Sequence, residues 1–462
     1  MWGGQPMRPS AGEAAPVLDV ARIREHFCFP AVGRVVTNNA ASTQPPRELL
    51  ELYRSLAPWY ENVHRGQSSA SQRTTALFEE SYDTIAAWLN APSRRNIVTY
   101  RNATEAINAV MYSLLTEFRD GDNVVTTMME HNSDFVPWHA LSREILPRFG
   151  RRVECRLARF DHRTGELDLD HLAHLVDSRT TLVCVTGASN FLGTKPPLPL
   201  VRAIANDSGY AQPSGEHRSL LLVDAAQLAP SSVLDVQALD VDYLAFSFHK
   251  VLAPFGVGVL YAREPLLEGS LPFLYGGDMI AEGQVVPDRV GYNALPWKYA
   301  AGTPNILGVI VSAQALRLLL DLVAGGGYRW FRSVQPVPRD VVVWSMDRVA
   351  QHTRVVTEHA LRRAREIPGL TVYGPPLGDP RSPLLAFNVA GTDPMWIAEQ
   401  LDLLGVESRA GCHCATLAHR ELGLTPAASC RLSFALYTSL DDVERAVAAL
   451  RYVAGHARPR AS

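Results

Sequence analysis

Leu220-Leu-Leu-Val-Asp-Ala-Ala-Gln227 and Tyr243-Leu-Ala-Phe-Ser-Phe-His-Lys250 decide the fold. Each begins with a short apolar run and turns abruptly polar. A strand apolar on both faces must be covered on both, which is the mark of a mostly parallel sheet flanked by helices. Working outward, the same pattern recurs at Asn96-Ile-Val-Thr-Tyr100, Asn123-Val-Val-Thr-Thr127 and Thr181-Leu-Val-Cys-Val-Thr186. Helical stretches separate these runs, so the chain reads as α/β.

In such a sheet, ligands collect at the carboxyl ends of the strands. The residues there are Arg101 to Asn108, Glu130-His131-Asn132, Ser189-Asn190, Asp224 to Gln227 and Ser247 to Lys250. The first group opens a helix, whose free N–H groups suit a phosphate. After about Pro304 the pattern changes. Long amphipathic segments (306 to 323, 352 to 366) precede short strands near 370–373 and 384–389. The expected organisation is a tail over 1–17, a large domain over 18–305 and a smaller α+β domain over 306–462. An insertion is expected within 325–353, where Gly325-Gly-Gly327 is followed by Trp330, Pro336 and Pro338.

The 462 residues leave room for a large core, and 47% apolar with 20% charged content is ordinary globular usage. A net charge of -3 gives no reason to expect nucleic acid or an anionic membrane as partner. Six unevenly spread cysteines do not make a disulfide framework. No secretory leader and no uninterrupted apolar stretch of membrane length are evident, so a cytoplasmic enzyme of small molecules is expected.

Lys250 closes a buried strand, where an ammonium is costly unless it is paired or loses its charge. A Schiff base to an aldehyde cofactor removes the charge. Taken alone, Lys250 reads more readily as a surface lysine. Asp224 ends the preceding run 26 residues earlier (250 − 224), where a carboxylate could pair with a protonated pyridine nitrogen. Cys412-His413-Cys414 could suggest metal ligation, but no second ligand pair stands at a zinc spacing, and no metal is expected.

The ordered motifs NNAAS (38–42), NVHRG (62–66), RNATEAIN (101–108), EHN (130–132), SNFLGT (189–194), VDAAQ (223–227), FSFHK (246–250), AGTPN (301–305), RAGCHCA (409–415) and CRLSFALY (430–437) carry a resemblance. Together they resemble the class V aminotransferase-type pyridoxal phosphate enzymes, in particular the cysteine desulfurase and selenocysteine lyase branch of the SufS type. The resemblance implies the fold type I, aspartate aminotransferase-like architecture and pyridoxal 5'-phosphate as cofactor.

It also implies roles. Lys250 would bind the cofactor aldehyde and act as base on the substrate Cα, Asp224 would face the pyridine nitrogen, and His131 would stack on the ring. Gln227 and Asn190 would hold the cofactor oxygen or the nearby substrate carboxylate. Ala103, Thr104, Ser247 and His249 would hold the phosphate, with Thr303 reaching in from the partner of a homodimer. Arg431 would clamp the substrate carboxylate with its planar fork. Cys414 would take sulfur from L-cysteine or a cysteine derivative as a persulfide, on a loop able to move, and pass it to an acceptor.

The sequence departs from the family pattern at Ala103, Phe248, Ala300, Cys412 and Thr438. A bulky Phe248 beside the lysine would either reshape the pocket or pack into the core. The alternative activity is a carbon–sulfur lyase or another specialised amino-acid enzyme on the same scaffold, with β-elimination and no persulfide. A non-catalytic scaffold stands behind both.

Overall fold

The computed structural model describes residues 17–29 and 33–456. Apart from Val17, the expected N-terminal tail lies outside the described residues. The expected apolar runs are strands: β1 (Ile97–Tyr100), β2 (Asn123–Thr127), β3 (Glu154–Ala158), β4 (Thr180–Thr186), β5 (Leu220–Asp224), β6 (Tyr243–Ser247) and β7 (Gly258–Ala262). They form one sheet in the order β1-β7-β6-β5-β4-β2-β3. Strands β3, β2, β4, β5 and β6 run parallel, and β7 is antiparallel to both of its neighbours.

Strands β3 and β7 were not foreseen. β3 is an edge strand of mixed polarity, Glu154-Cys-Arg-Leu-Ala158, partly open to solvent. β7 is apolar but follows a Gly-containing turn that hides its start. Gly258 at that start admits no side chain, because a Cβ there would fall 2.3 Å from the carbonyl carbon of Asn102. The sheet thereby closes directly onto the entry of the helix Ala103–Ser113.

A smaller sheet is built from β8 (Leu370–Tyr373), β9 (Leu384–Val389), β10 (Arg409–Gly411) and β11 (Ser429–Ser433), in the order β8-β9-β11-β10 and antiparallel throughout. Its core includes Phe387, Ile397, Leu432 and Val447, and it also takes Val35 from the start of the chain. Val35 and Val36 pair in parallel with Val406 and Glu407.

The helix Ile306–Ala324 corrects the expected organisation. Its side chains lie in the core beneath the large sheet, together with Phe246, Phe248 and Val259, so the unit built on that sheet extends past residue 305. The helix is apolar enough in composition to cross a bilayer, yet 94% of its apolar window is buried inside the protein. The expected helix over 352–366 is longer, Arg339–Arg365, and absorbs the second half of the expected insertion.

What remains, residues 325–338, is fastened to the preceding helix. The buried carboxylate of Asp321 accepts from the backbone N–H groups of Arg329, Trp330 and Phe331 (2.8–3.2 Å), and Gln314 Oε1 accepts from Arg332 N–H at 2.6 Å.

At the amino end of the parallel strands, Asp242 is fully buried and gathers three arginines. Its carboxylate accepts from Arg202 (2.8 Å), Arg218 (2.9 Å) and the backbone N–H of Leu221 (2.8 Å), and forms an ion pair with Arg263 at 3.0 Å. Removing one member of a buried ionic cluster leaves the others uncompensated, which costs about 3–5 kcal/mol. Asp242→Ala is therefore expected to lower unfolding free energy by that amount, read as a lower urea midpoint.

Candidate active site

The carboxyl ends of β4, β5 and β6 open into a cavity of about 230 Å³ that also receives residues from β10 and β11. Around it stand Lys250, Asp224, His131, Asn190, Arg431 and Cys414, and Ala103, Thr104, Gln227, Ser247 and His249 complete the expected set. Thr303 does not reach this cavity and is exposed on the chain's own surface.

Lys250 ends a tight turn, Phe248–Lys250, directly after β6. The carbonyl of His249, one residue before it, accepts from Ser42 Oγ (3.0 Å), Thr43 N–H (2.9 Å) and Thr43 Oγ1 (3.2 Å). The motif NNAAS and its successor thus pin the backbone that carries the lysine. Burial pushes the Lys250 amine down to about 8; Asp224 opposes this, and the positive charges of Arg431 and Arg409 add to it. Phe248 turns away into the core against Phe246, with ring centroids 5.2 Å apart, so its bulk packs there and does not line the cavity.

Asp224 is held by the backbone N–H of Ala226 at 2.9 Å. Burial raises its carboxyl, and that N–H and Lys250 draw it back. His131 caps the helix Asn132–Ala140, its Nδ1 accepting from Ser133 N–H at 3.0 Å. Burial and then Lys250 push the ring down to about 4, so at neutral pH it presents an uncharged face.

At the start of the helix Ala103–Ser113, Asn102 caps Glu105 N–H at 2.9 Å, and Thr104 Oγ1 lies 2.6 Å from Ser133 Oγ. Ala103 N–H donates to Ser247 Oγ at 2.7 Å, so this amide ties helix to strand and is not free for a phosphate. Ala106 N–H donates to the Asn102 carbonyl at 3.1 Å, which leaves Thr104 N–H as the open amide of this first turn. Gln227 Nε2 donates to the carbonyl of Ala40 at 2.7 Å.

Arg431 is fully buried, and its Nη1 donates to the carbonyl of Asn190 at 2.6 Å. Its Nε and Asn190 Oδ1 are both buried without a partner. A carboxylate could accept from the Nε–H, and a donor beside that carboxylate could satisfy the Oδ1. Burial, reinforced by Arg409, pushes Arg431 down to about 9.

Sequence reasoning overlooked Arg409, which stands opposite Arg431 in the β10–β11 register and lines the cavity. It lies inside the motif RAGCHCA, but the cross-strand pairing that brings two like charges together is non-local. Glu130 carried no role in the sequence reading and Asp134 was overlooked; both are fully buried. Asp134 Oδ1 accepts from Cys184 Sγ at 2.6 Å, and Glu130 Oε1 from Thr127 Oγ1 at 2.6 Å. Burial and the charge of Asp224 push Asp134 up to about 8. Glu130 and Asp134 stand four residues apart, which is the available signal.

Cys414 lines the cavity, whereas Cys412 does not. The backbone of the loop that carries Cys414 is bonded at three successive carbonyls. The carbonyls of Cys412, His413 and Cys414 accept from Ala415 N–H (2.7 Å), Asn190 Nδ2 (2.6 Å) and Asn132 N–H (2.6 Å). Ala300 borders a different depression beside Tyr299, and Thr438 Oγ1 accepts from Ala435 N–H at 2.9 Å.

This donor set suits a phosphorylated aldehyde with an aromatic ring: a buried amine, a carboxylate facing it, a neutral imidazole, a helix start with an open amide and hydroxyl at Thr104, and an unsatisfied guanidinium. A pyridoxal-type enzyme of the α/β class is what the fold and the site define. The family model for aminotransferase class-V matches residues 35–324 and 341–446, leaving out the segment 325–338, and the chain belongs to that family.

The chain is 35% identical over 453 residues to a probable cysteine desulfurase of Halobacterium salinarum, covering 95% of this chain and 97% of that one. It superposes with a TM-score of 0.79 on the cysteine desulfurase CsdA of Escherichia coli, at 29% identity over 96% of this chain and all of that one. The cystine C–S lyase C-DES shares the fold with a TM-score of 0.72 at 20% identity, over 91% of this chain and 98% of that one.

The amine of Lys250, lowered to about 8 from an ordinary 10.5, is mostly protonated below pH 8 and mostly free above it. Its condensation with an added aldehyde in cofactor-free protein is expected to rise through pH 8. In Asp224→Asn the raising influence of the carboxylate is gone, so the midpoint moves to lower pH. The measurement is the rate of absorbance change against pH, with Lys250→Ala as the blank.

Proposed function

We propose that this chain is a pyridoxal 5'-phosphate-dependent cysteine desulfurase that forms alanine and a persulfide on Cys414, acting as a homodimer. One observation carries the reading: Lys250, Asp224, Arg431 and Cys414 converge on a single cavity although they come from opposite sheets. The similarity to cysteine desulfurases over nearly the whole chain supports it.

When bound, the cofactor supplies an aldehyde for the Lys250 amine and a ring that takes up the electron pair from the substrate Cα. The hydroxyl and backbone N–H of Thr104, with Ser247 and His249, would hold its phosphate, His131 its ring face and Asp224 its pyridine nitrogen. Gln227 and Asn190 supply side-chain amides at its edge.

Arg431 receives the substrate carboxylate, with Arg409 adding positive potential. Lys250, freed as an amine, takes the proton from Cα, and its depressed basicity leaves it competent near neutral pH. Cys414 then attacks the substrate sulfur: its Sγ forms the new sulfur–sulfur bond as the substrate carbon–sulfur bond breaks, and the protonated three-carbon skeleton leaves as alanine. The outer sulfur passes to an acceptor thiol. Thr303, which is exposed on the chain's own surface, would serve the cofactor phosphate of a second copy.

The lyase reading draws on the fold shared with C-DES. Products separate the two. With L-cysteine and a dithiol, equal amounts of alanine and sulfide are expected, and Cys414→Ala should lower that rate by at least about a thousandfold, as loss of a covalent nucleophile does. Pyruvate and ammonia, formed at the same rate by Cys414→Ala, would establish elimination in place of desulfuration.

A further inference from the structure

Under the Cys414 loop lies a buried cluster that the catalytic assignment does not use: His413, His419, Ser429 and Phe191. His419 is fully buried, and its ring stacks on Phe191 with centroids 3.7 Å apart. His419 Nδ1 lies 2.9 Å from the carbonyl of Ala415. Ser429 Oγ lies 2.9 Å from His419 Nε2 and 3.1 Å from His413 Nε2.

Burial lowers the proton affinity of both rings, His413 to about 2, so both are neutral. One assignment of hydrogens then satisfies every contact. His419 Nδ1–H donates to the Ala415 carbonyl, which leaves Nε2 to accept from Ser429 O–H. Ser429 Oγ in turn accepts from His413 Nε2–H, and His413 Nδ1 is left bare and buried without a partner.

This chain of bonds grips a strained backbone. His413 (φ 52°) and Cys414 (φ 57°) are consecutive left-handed residues, a conformation that non-glycine residues adopt only when their surroundings impose it. The ring of His413 is anchored through Ser429, and the Ala415 carbonyl, just past the thiol, through His419. We propose that Ser429 and His419 are positioning residues that hold His413 and Cys414 in the left-handed conformation and so present the Cys414 thiol to the cavity. The proposal rests on Cys414 being the sulfur-accepting nucleophile.

The test uses the holoenzyme. In Ser429→Ala, and separately in His419→Phe, which keeps the stack on Phe191, kcat for sulfide release should fall by about tenfold to a hundredfold, the scale of misplacing a reacting group by about 1 Å. KM should move by less than about twofold, and the Lys250-dependent cofactor absorbance should stay intact. The rate at which iodoacetamide alkylates Cys414, followed by peptide mass, should change in the same variants.

Glycine takes the left-handed conformation without strain, so His413→Gly added to Ser429→Ala should recover at least about threefold of the lost kcat. Wild-type kcat and wild-type alkylation in both single variants would overturn the proposal, as would a double variant no faster than Ser429→Ala. Full activity in Cys414→Ala would instead remove the desulfurase reading, and the alkylation rates would still decide the positioning role.

Discussion

An ammonium enclosed at the mouth of a sheet is unstable in its own right, and this protein is arranged around that fact. Lys250 sits where burial strips its hydration, two arginines repel it and one carboxylate, Asp224, attracts it. The balance leaves an amine that gives up its proton far more readily than a surface lysine. Such an environment is what a carbonyl-condensing nucleophile requires. His131, pushed down by the same burial and by the lysine itself, stays neutral and adds no further charge to the site.

The architecture supplies rigidity from several directions at once. The His249 carbonyl receives three donors from the first forty-odd residues. At the far ends of the parallel strands Asp242 binds three guanidinium groups, so the strands carrying Asp224 and Lys250 are fixed at their feet as well as at their tips. The smaller sheet brings Arg431 and Cys414 to the same space, and Asn190 joins the two units by bonding both the His413 carbonyl and Arg431.

Much of this was legible in the sequence because apolar runs with abrupt polar ends mark buried parallel strands, and five of the seven strands of the large sheet announced themselves so. The residues following them proved to be neighbours. β3 was hidden by its solvent-facing charges and β7 by a turn whose direction depends on the contact between Gly258 and Asn102. Boundaries failed where packing, and not composition, decides: the helix Ile306–Ala324 belongs to the core of the large sheet, and only its burial shows this. Arg409 and Asp134 were missed, and Glu130 carried no role, because each matters through a neighbour distant in sequence or through a shared, enclosed charge. Asp321 shows the converse, a lone mid-helix carboxylate whose purpose appears only when the following loop folds back onto it.

The pairing of Val35 and Val36 with a strand near residue 406 has a bearing on biosynthesis. The early segment emerges from the ribosome about 370 residues ahead of its partner, an interval of roughly 20 to 75 s at ~5–20 residues per second. During that time the large sheet can assemble, while the valines have no edge to join. Closure of the small unit, and with it delivery of the guanidinium and thiol groups to the cleft, thus waits until the strands near 406 and 429–433 have been made.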